Sequence, residues 1–198
     1  MVLINSPEKL ARFRNHWNGK KMLELLRQHN GRLRVDLAVG VGKSCNIDRV
    51  IEEAIVSDHY DLVIALFPTR RIIEERRWVR TPPKGIKVVN LKPRPDSNCG
   101  EALSRRWEVF EKNGLGAWGR IELCGQCPYK SKCFWWRQFG EYLKGSRVIF
   151  GAQAHLERSP DFLNLIARWS EAGKILVILD EANFIMKPFK RWIKKTHL

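Results

Sequence analysis

Two uninterrupted apolar runs, LVIALF at Leu62–Phe67 and ILVIL at Ile175–Leu179, constrain the fold of this 198-residue chain more than any other feature. A strand with no polar side chain has no face suited to water. Each run therefore predicts a strand covered on both sides, the situation of a parallel sheet between two layers of helix. The intervening sequence supplies the helices. Ile47, Val50, Ile51, Ala54 and Ile55 fall at i, i+3, i+4, i+7 and i+8, which predicts a helix beginning near Lys43. Residues 101–112 and 160–171 read as further helices, and residues 33–39, 86–91 and 147–150 as further strands. At the N-terminus, Ser6-Pro7-Glu8 is a helix start followed by Leu10, Phe13 and Trp17 at helical spacing, and residues 22–28 read as a helix stopping near Asn30-Gly31. Strands alternating with helices predict an α/β fold.

The length suits one principal domain with a small insert. No apolar stretch approaches the roughly 20 residues of a membrane span, and the first residues lack the pattern of a secretory signal. An intracellular protein with no membrane partner is expected. Lys and Arg number 36 against 21 Asp and Glu, a formal charge of +15, which points to a polyanion as partner, nucleic acid first. The eight tryptophans add little, because most tryptophans in a domain are packing residues.

Between the predicted strand at 33–39 and the helix that follows lies Gly40-Val41-Gly42-Lys43-Ser44. Phosphates are bound where backbone N–H groups converge at a helix N-terminus; glycines permit the approach, a lysine reaches the outer phosphates, and a hydroxyl ligates magnesium. Lys43 and Ser44 fit those two roles. The general eight-residue phosphate loop has a glycine where this chain has Leu37, so a glycine turn capping a helix is the alternative. The second apolar run ends in Asp180-Glu181, placed for Asp180 to hold magnesium and Glu181 to orient or deprotonate an attacking water. Standing alone, that pair also reads as an acidic helix cap.

Residues 92–142 are different in kind, rich in proline and glycine and carrying four of the five cysteines. Cys124 and Cys127 form a C-x-x-C knuckle, Cys133 follows six positions later, and Cys99 lies 25 residues upstream of Cys124. An odd number of cysteines with no secretory signal argues against a disulfide framework. Four soft sulfur donors suit tetrahedral zinc or a cubane iron–sulfur cluster equally well on ligand type alone. Cys45 stands apart and reads as a small packing residue at the helix start.

In this order the motifs resemble the N-terminal motor lobe of the iron–sulfur superfamily 2 DNA helicases, the XPD and DinG group. Residues 36–44 are similar to that family's motif I, which has no glycine at the first position. Leu66-Phe67-Pro68-Thr69-Arg70 is similar to motif Ia, which touches the DNA strand, and Asp180-Glu181-Ala182-Asn183 stands in the place of motif II. A four-cysteine insert lies between those two motifs in the family, and Arg147-Val148-Ile149-Phe150 with Ala154-His155-Leu156 is similar to the strand and turn after it. The resemblance implies a RecA-like P-loop lobe with a parallel sheet, formed from residues 1–91 and 143–198, and an iron–sulfur insert at 92–142. It implies ATP and Mg²⁺ bound by Gly40, Val41, Gly42, Lys43 and Ser44 with Asp180 and Glu181. It further implies a 4Fe-4S cluster held by Cys99, Cys124, Cys127 and Cys133, and single-stranded DNA as ligand. An alternative from a different class is a non-catalytic, zinc-containing nucleic-acid-binding module.

Two features depart from the family. Asn183 replaces the usual histidine of motif II, and 17 residues follow Glu181, so motif III and the second motor lobe are not in this sequence. The expectation is a fragment, a degenerate remnant or a subunit completed by a partner lobe, with weak ATPase activity on its own because the second lobe's arginines are missing. Whether the chain is an enzyme is left open. Residues 70–94 hold nine basic residues against Glu74 and Glu75. Thr69, Arg70, Arg71, Arg76 and Arg77 are the expected DNA contacts, with a solvated helix face as the alternative. A second basic run, Lys187, Lys190, Arg191, Lys194 and Lys195, is interleaved with Phe189 and Trp192.

Overall fold

A computed structural model of the chain describes residues 18–31, 33, 35, 43–94, 99–158 and 161–180. Its elements in chain order are α1 (Gly19–Gln28), α2 (Lys43–Val56), β1 (Leu62–Phe67), α3 (Arg70–Glu74), α4 (Arg77–Arg80) and β2 (Val88–Asn90). There follow α5 (Gly100–Lys112), α6 (Gly116–Gly119), a π-helical turn (Arg120–Cys124), α7 (Phe134–Arg137) and a 3-10 turn (Gly140–Leu143). The described chain closes with β3 (Val148–Ala152), α8 (Ala154–Arg158), α9 (Phe162–Ser170) and β4 (Ile175–Leu179). The helix expected over 6–17 and the basic run at 187–195 lie outside the described residues. So does most of the strand expected over 33–39, of which Leu33 and Val35 carry no regular structure.

The four strands form one open sheet in the order β2-β3-β1-β4, every pair parallel. The fold is α/β, as the apolar runs predicted. β1 is central, with Ala65 opposite Phe150 of β3 on one side and Ile178 of β4 on the other. Its alternate side chains feed two cores. Val63, Ala65 and Phe67 pack with Leu23 of α1 and Val50, Ile51, Ala54 and Ile55 of α2. Leu62, Ile64 and Leu66 turn the other way, toward Val89, Leu91, Ile149 and the α9 residues Phe162 and Ile166. All six residues of β1 are fully buried, which is why the run contains no polar residue; a large apolar side chain so placed contributes roughly 2 kcal/mol. β4 differs from expectation. Among the described residues it is paired only with β1, and Val177 is 36% exposed.

Local chemistry sets the helix limits. The Asn18 side chain accepts from Lys21 N–H at 2.9 Å to cap α1, and the helix ends where Asn30 and Gly31 take φ of 53° and 76°. Gly19 allows α1 to lie against α2, since a Cβ there would run into the Arg49 carbonyl. Cys45 is exposed, contrary to its reading as packing; it falls on the opposite side of α2 from Val50, Ile51, Ala54 and Ile55.

The direction of α2 follows from its far end. Arg147, just before β3, donates to the Ile55 carbonyl at 3.5 Å, to the Tyr60 carbonyl at 3.4 Å and to Asp58 Oδ1 at 2.8 Å. The C-terminus of α2 thus lies at the amino ends of the strands. Its N-terminus, Lys43, is directed toward their carboxyl ends, where ligands of open α/β sheets bind.

At the amino edge, Asp61 Oδ2 accepts from the backbone N–H groups of Lys174 (2.7 Å) and Gly173 (2.9 Å). The Lys174 bond, followed by that of Gly173 and the charge of Arg147, holds the Asp61 carboxyl below its usual value of 3.8. A depressed carboxylate contributes stability that is full above its unfolded pKa and is lost as pH falls through the folded value. Asp61→Asn is accordingly expected to lower the melting temperature at neutral pH. The gap to wild type should close in strong acid, as followed by thermal melts across pH.

Candidate functional site

The carboxyl edge of the sheet brings together three chain segments. α2 points there with its Lys43 end, β1 leads there into Pro68 and Thr69, and β4 leads there into Asp180. Gly40, Val41, Gly42, Glu181 and Asn183 lie outside the described residues, as do the side chains of Lys43 and Ser44. The Asp180 backbone N–H donates to the Leu66 carbonyl at 3.0 Å, continuing the β1–β4 ladder one residue beyond the strand. Gln153, 4% exposed, fastens this corner. Its backbone N–H donates to the Phe67 carbonyl at 2.9 Å, and its side-chain amide donates to the carbonyls of Asp180 and Leu66. One residue thus joins the ends of three strands, its side chain bridging β1 and β4 from the end of β3. The sequence marks Gln153 only as a polar residue directly after an apolar strand.

The basic segment after β1 does not form a single face. Thr69 is exposed, Arg71 is exposed beside Glu75 (3.2 Å), and Arg77 is exposed beside Glu52 (3.2 Å). Arg70 is half-buried, with its guanidinium 3.4 Å from the Leu91 carbonyl. Arg76, expected on the basic face, is turned inward instead. It is 6% exposed, paired with Asp48 at 3.4 Å, and stacked over the Phe67 ring at 4.8 Å. Burial raises the Asp48 pKa and the Arg76 charge opposes the rise. Removing one member of a buried pair leaves the other charge unsolvated. Arg76→Ala is therefore expected to cost about 3 kcal/mol of stability by denaturant titration. Arg71→Ala should leave stability nearly unchanged.

Residues 99–143 occupy the crossover between β2 and β3 and have a core of their own: Trp107, Leu123 and Cys124, with Leu103, Phe110, Trp135 and Trp136 against them. Gln138, 1% exposed, ties the two ends of this crossover together. The Lys92 N–H donates to its Oε1 at 2.7 Å, and its Nε2 donates to the Lys92 carbonyl at 2.8 Å.

The four cysteines of the crossover line one cavity of about 320 Å³. Cys99 immediately precedes α5, and Cys124 ends the π-helical turn. From Cys124 the chain turns tightly. Cys127 N–H donates to the Cys124 carbonyl (3.2 Å), Lys130 N–H to the Cys127 carbonyl (3.1 Å), and Arg137 N–H to the Cys133 carbonyl (3.1 Å). Successive turns thus present Cys124, Cys127 and Cys133 to the same space. Among the described residues, no three His, Cys, Asp or Glu side chains gather closely enough to hold a single metal ion.

The surroundings of Cys124 are specific. Burial pushes its thiol up to about 11, with Cys99, Cys133 and Cys127 adding to the rise and the Trp107 indole opposing it. Arg120, one turn earlier, is stacked on three rings, those of Trp136 (4.3 Å), Phe139 (4.9 Å) and Trp169 of α9 (4.9 Å). Its own pKa is lowered by burial, an effect that the Cys124 charge opposes. Trp107 meets Trp135 edge-on at 5.2 Å, Trp135 meets Phe139 edge-on at 5.8 Å, and Phe139 lies tilted against Trp169 at 5.4 Å. These tryptophans serve packing and join the crossover to the sheet layer. No helix among the described residues is long and apolar enough to cross a membrane.

The sequence matches no family model, no curated protein and no solved structure.

Proposed function

We propose that this chain is the ATP-binding, RecA-like motor lobe of a DinG/XPD-like DNA helicase, with a 4Fe-4S cluster in the crossover between β2 and β3. The observation that carries the reading is the four-cysteine cavity, rooted in the same parallel sheet whose carboxyl edge receives the start of α2 and Asp180. Four soft sulfur donors around one cavity suit either an inorganic cluster or a zinc ion on ligand type, and the resemblance to the iron–sulfur helicases favours the cluster. Cys99, Cys124, Cys127 and Cys133 would hold the cluster. When bound, it supplies a covalent tie across the crossover and a one-electron redox centre.

On this reading Lys43 holds the outer phosphates of ATP, Ser44 and Asp180 ligate Mg²⁺, and Glu181 orients the attacking water. Gln153 keeps the Asp180 backbone in register with β1. Single-stranded DNA tracks the carboxyl edge past Thr69, Arg70, Arg71 and Arg77, where phosphate contacts make affinity fall steeply with salt. The test is equilibrium binding of Mg-ATP and of a single-stranded oligonucleotide to anaerobically purified protein. Saturable binding of both, with single strand preferred over duplex, supports the reading. Failure to bind nucleotide, or equal affinity for duplex, overturns it.

A further inference from the structure

The Trp107 side chain is 1% exposed, and its indole N–H finds no oxygen or nitrogen acceptor among the described residues. A buried donor left unsatisfied costs about 1–3 kcal/mol, so such a group in a packed site points to an acceptor that completes it. Its position limits the choice. Trp107 belongs to the small core that contains Cys124, and its indole lies close enough to oppose the rise in that thiol's pKa. The ring has little freedom to turn away. Trp135 meets it edge-on at 5.2 Å, the Arg94 guanidinium lies over its face at 5.4 Å, and a Cβ on Gly119 would come within 2.8 Å of its Cζ3. Gly119 is the residue that makes room for it. A thiol is a weak acceptor, whereas a ligating thiolate carries the charge that draws an N–H.

We propose that the Trp107 indole N–H is a hydrogen-bond donor to the Cys124 thiolate of the bound cluster and sets that cluster's reduction potential. The inference rests on the iron–sulfur reading of the cavity. Reduction adds one negative charge to the cluster, and a donor to a ligating sulfur stabilises the more negative state more, so the bond raises the potential. The stacked Arg120 guanidinium beside Cys124 acts in the same sense. Trp107 touches a ligand and no substrate; its role is to tune and position.

Trp107→Phe removes the N–H and keeps an aromatic ring against Trp135. The midpoint potential of the anaerobically purified variant, read by optical or electron paramagnetic titration, should fall. The drop should approach a tenfold change in the ratio of oxidised to reduced protein at fixed potential, about 59 mV for one electron. An unchanged or higher potential in a variant with normal iron and sulfide overturns the inference and leaves the cluster reading intact. Wild-type protein without iron and sulfide overturns both. If the variant does not assemble a cluster, wild-type protein with ¹⁵N-indole tryptophan decides. A hyperfine coupling between the reduced cluster and one indole nitrogen supports the bond, and its absence overturns it.

Discussion

Cys124→Ser is expected to lower bound iron and sulfide to less than about a tenth of wild type, with loss of visible absorbance. Serine is a hard donor that stays protonated near neutral pH, so one of four soft ligands disappears from the most buried corner of the cavity. The damage should stay local. The crossover's own core is small, built on Trp107, Leu123 and Cys124, whereas the two faces of the sheet are packed independently around β1. Far-ultraviolet circular dichroism should therefore change little, while limited proteolysis should cut faster within residues 99–137. Cys45→Ser, at an exposed position, should change neither. If Cys124→Ser keeps its full iron content, Cys124 is not a ligand.

Lys43→Ala carries the second large effect, a loss of at least about thirtyfold in Mg-ATP affinity. A charge-assisted bond to a phosphate contributes about 2 kcal/mol or more in a desolvated site. The position of Lys43 at the first turn of α2, directed to the carboxyl edge that also holds Asp180, is the structural basis of the prediction. The measurement is a fluorescent-nucleotide titration paired with the rise in melting temperature on adding Mg-ATP. Both should disappear in the variant, with melting of the nucleotide-free protein unchanged. Equal affinity in wild type and variant would remove Lys43 from the phosphate site.

What the sequence made legible was whatever depends on local pattern. β1 could be read because LVIALF serves two cores at once, and α2 because its apolar spacing matches one helix face. The crossover announced itself through composition and cysteine spacing. What escaped were pairings across long stretches of chain and the inward or outward sense of a charge. Gln138 fastens Lys92 from 46 residues away, and nothing local to either residue signals it. Arg76 and Arg77 are adjacent and chemically identical, yet one is buried against Asp48 and Phe67 and the other exposed. Charge counting assigned them one role because it carries no direction. The part of Trp107 was hidden for a related reason. Its helix spacing marks it as core, and only the three-dimensional neighbourhood of Cys124 shows a donor without an acceptor.

On the proposed reading, Cys99, Cys124, Cys127 and Cys133 hold a cluster in the crossover between β2 and β3. Iron, acid-labile sulfide and zinc measured per chain on anaerobically purified protein test it most directly. About four irons and four sulfides per chain, with no zinc, is the predicted result. One zinc per chain in a colourless protein would contradict it and leave a zinc-stabilised nucleic-acid-binding module in its place.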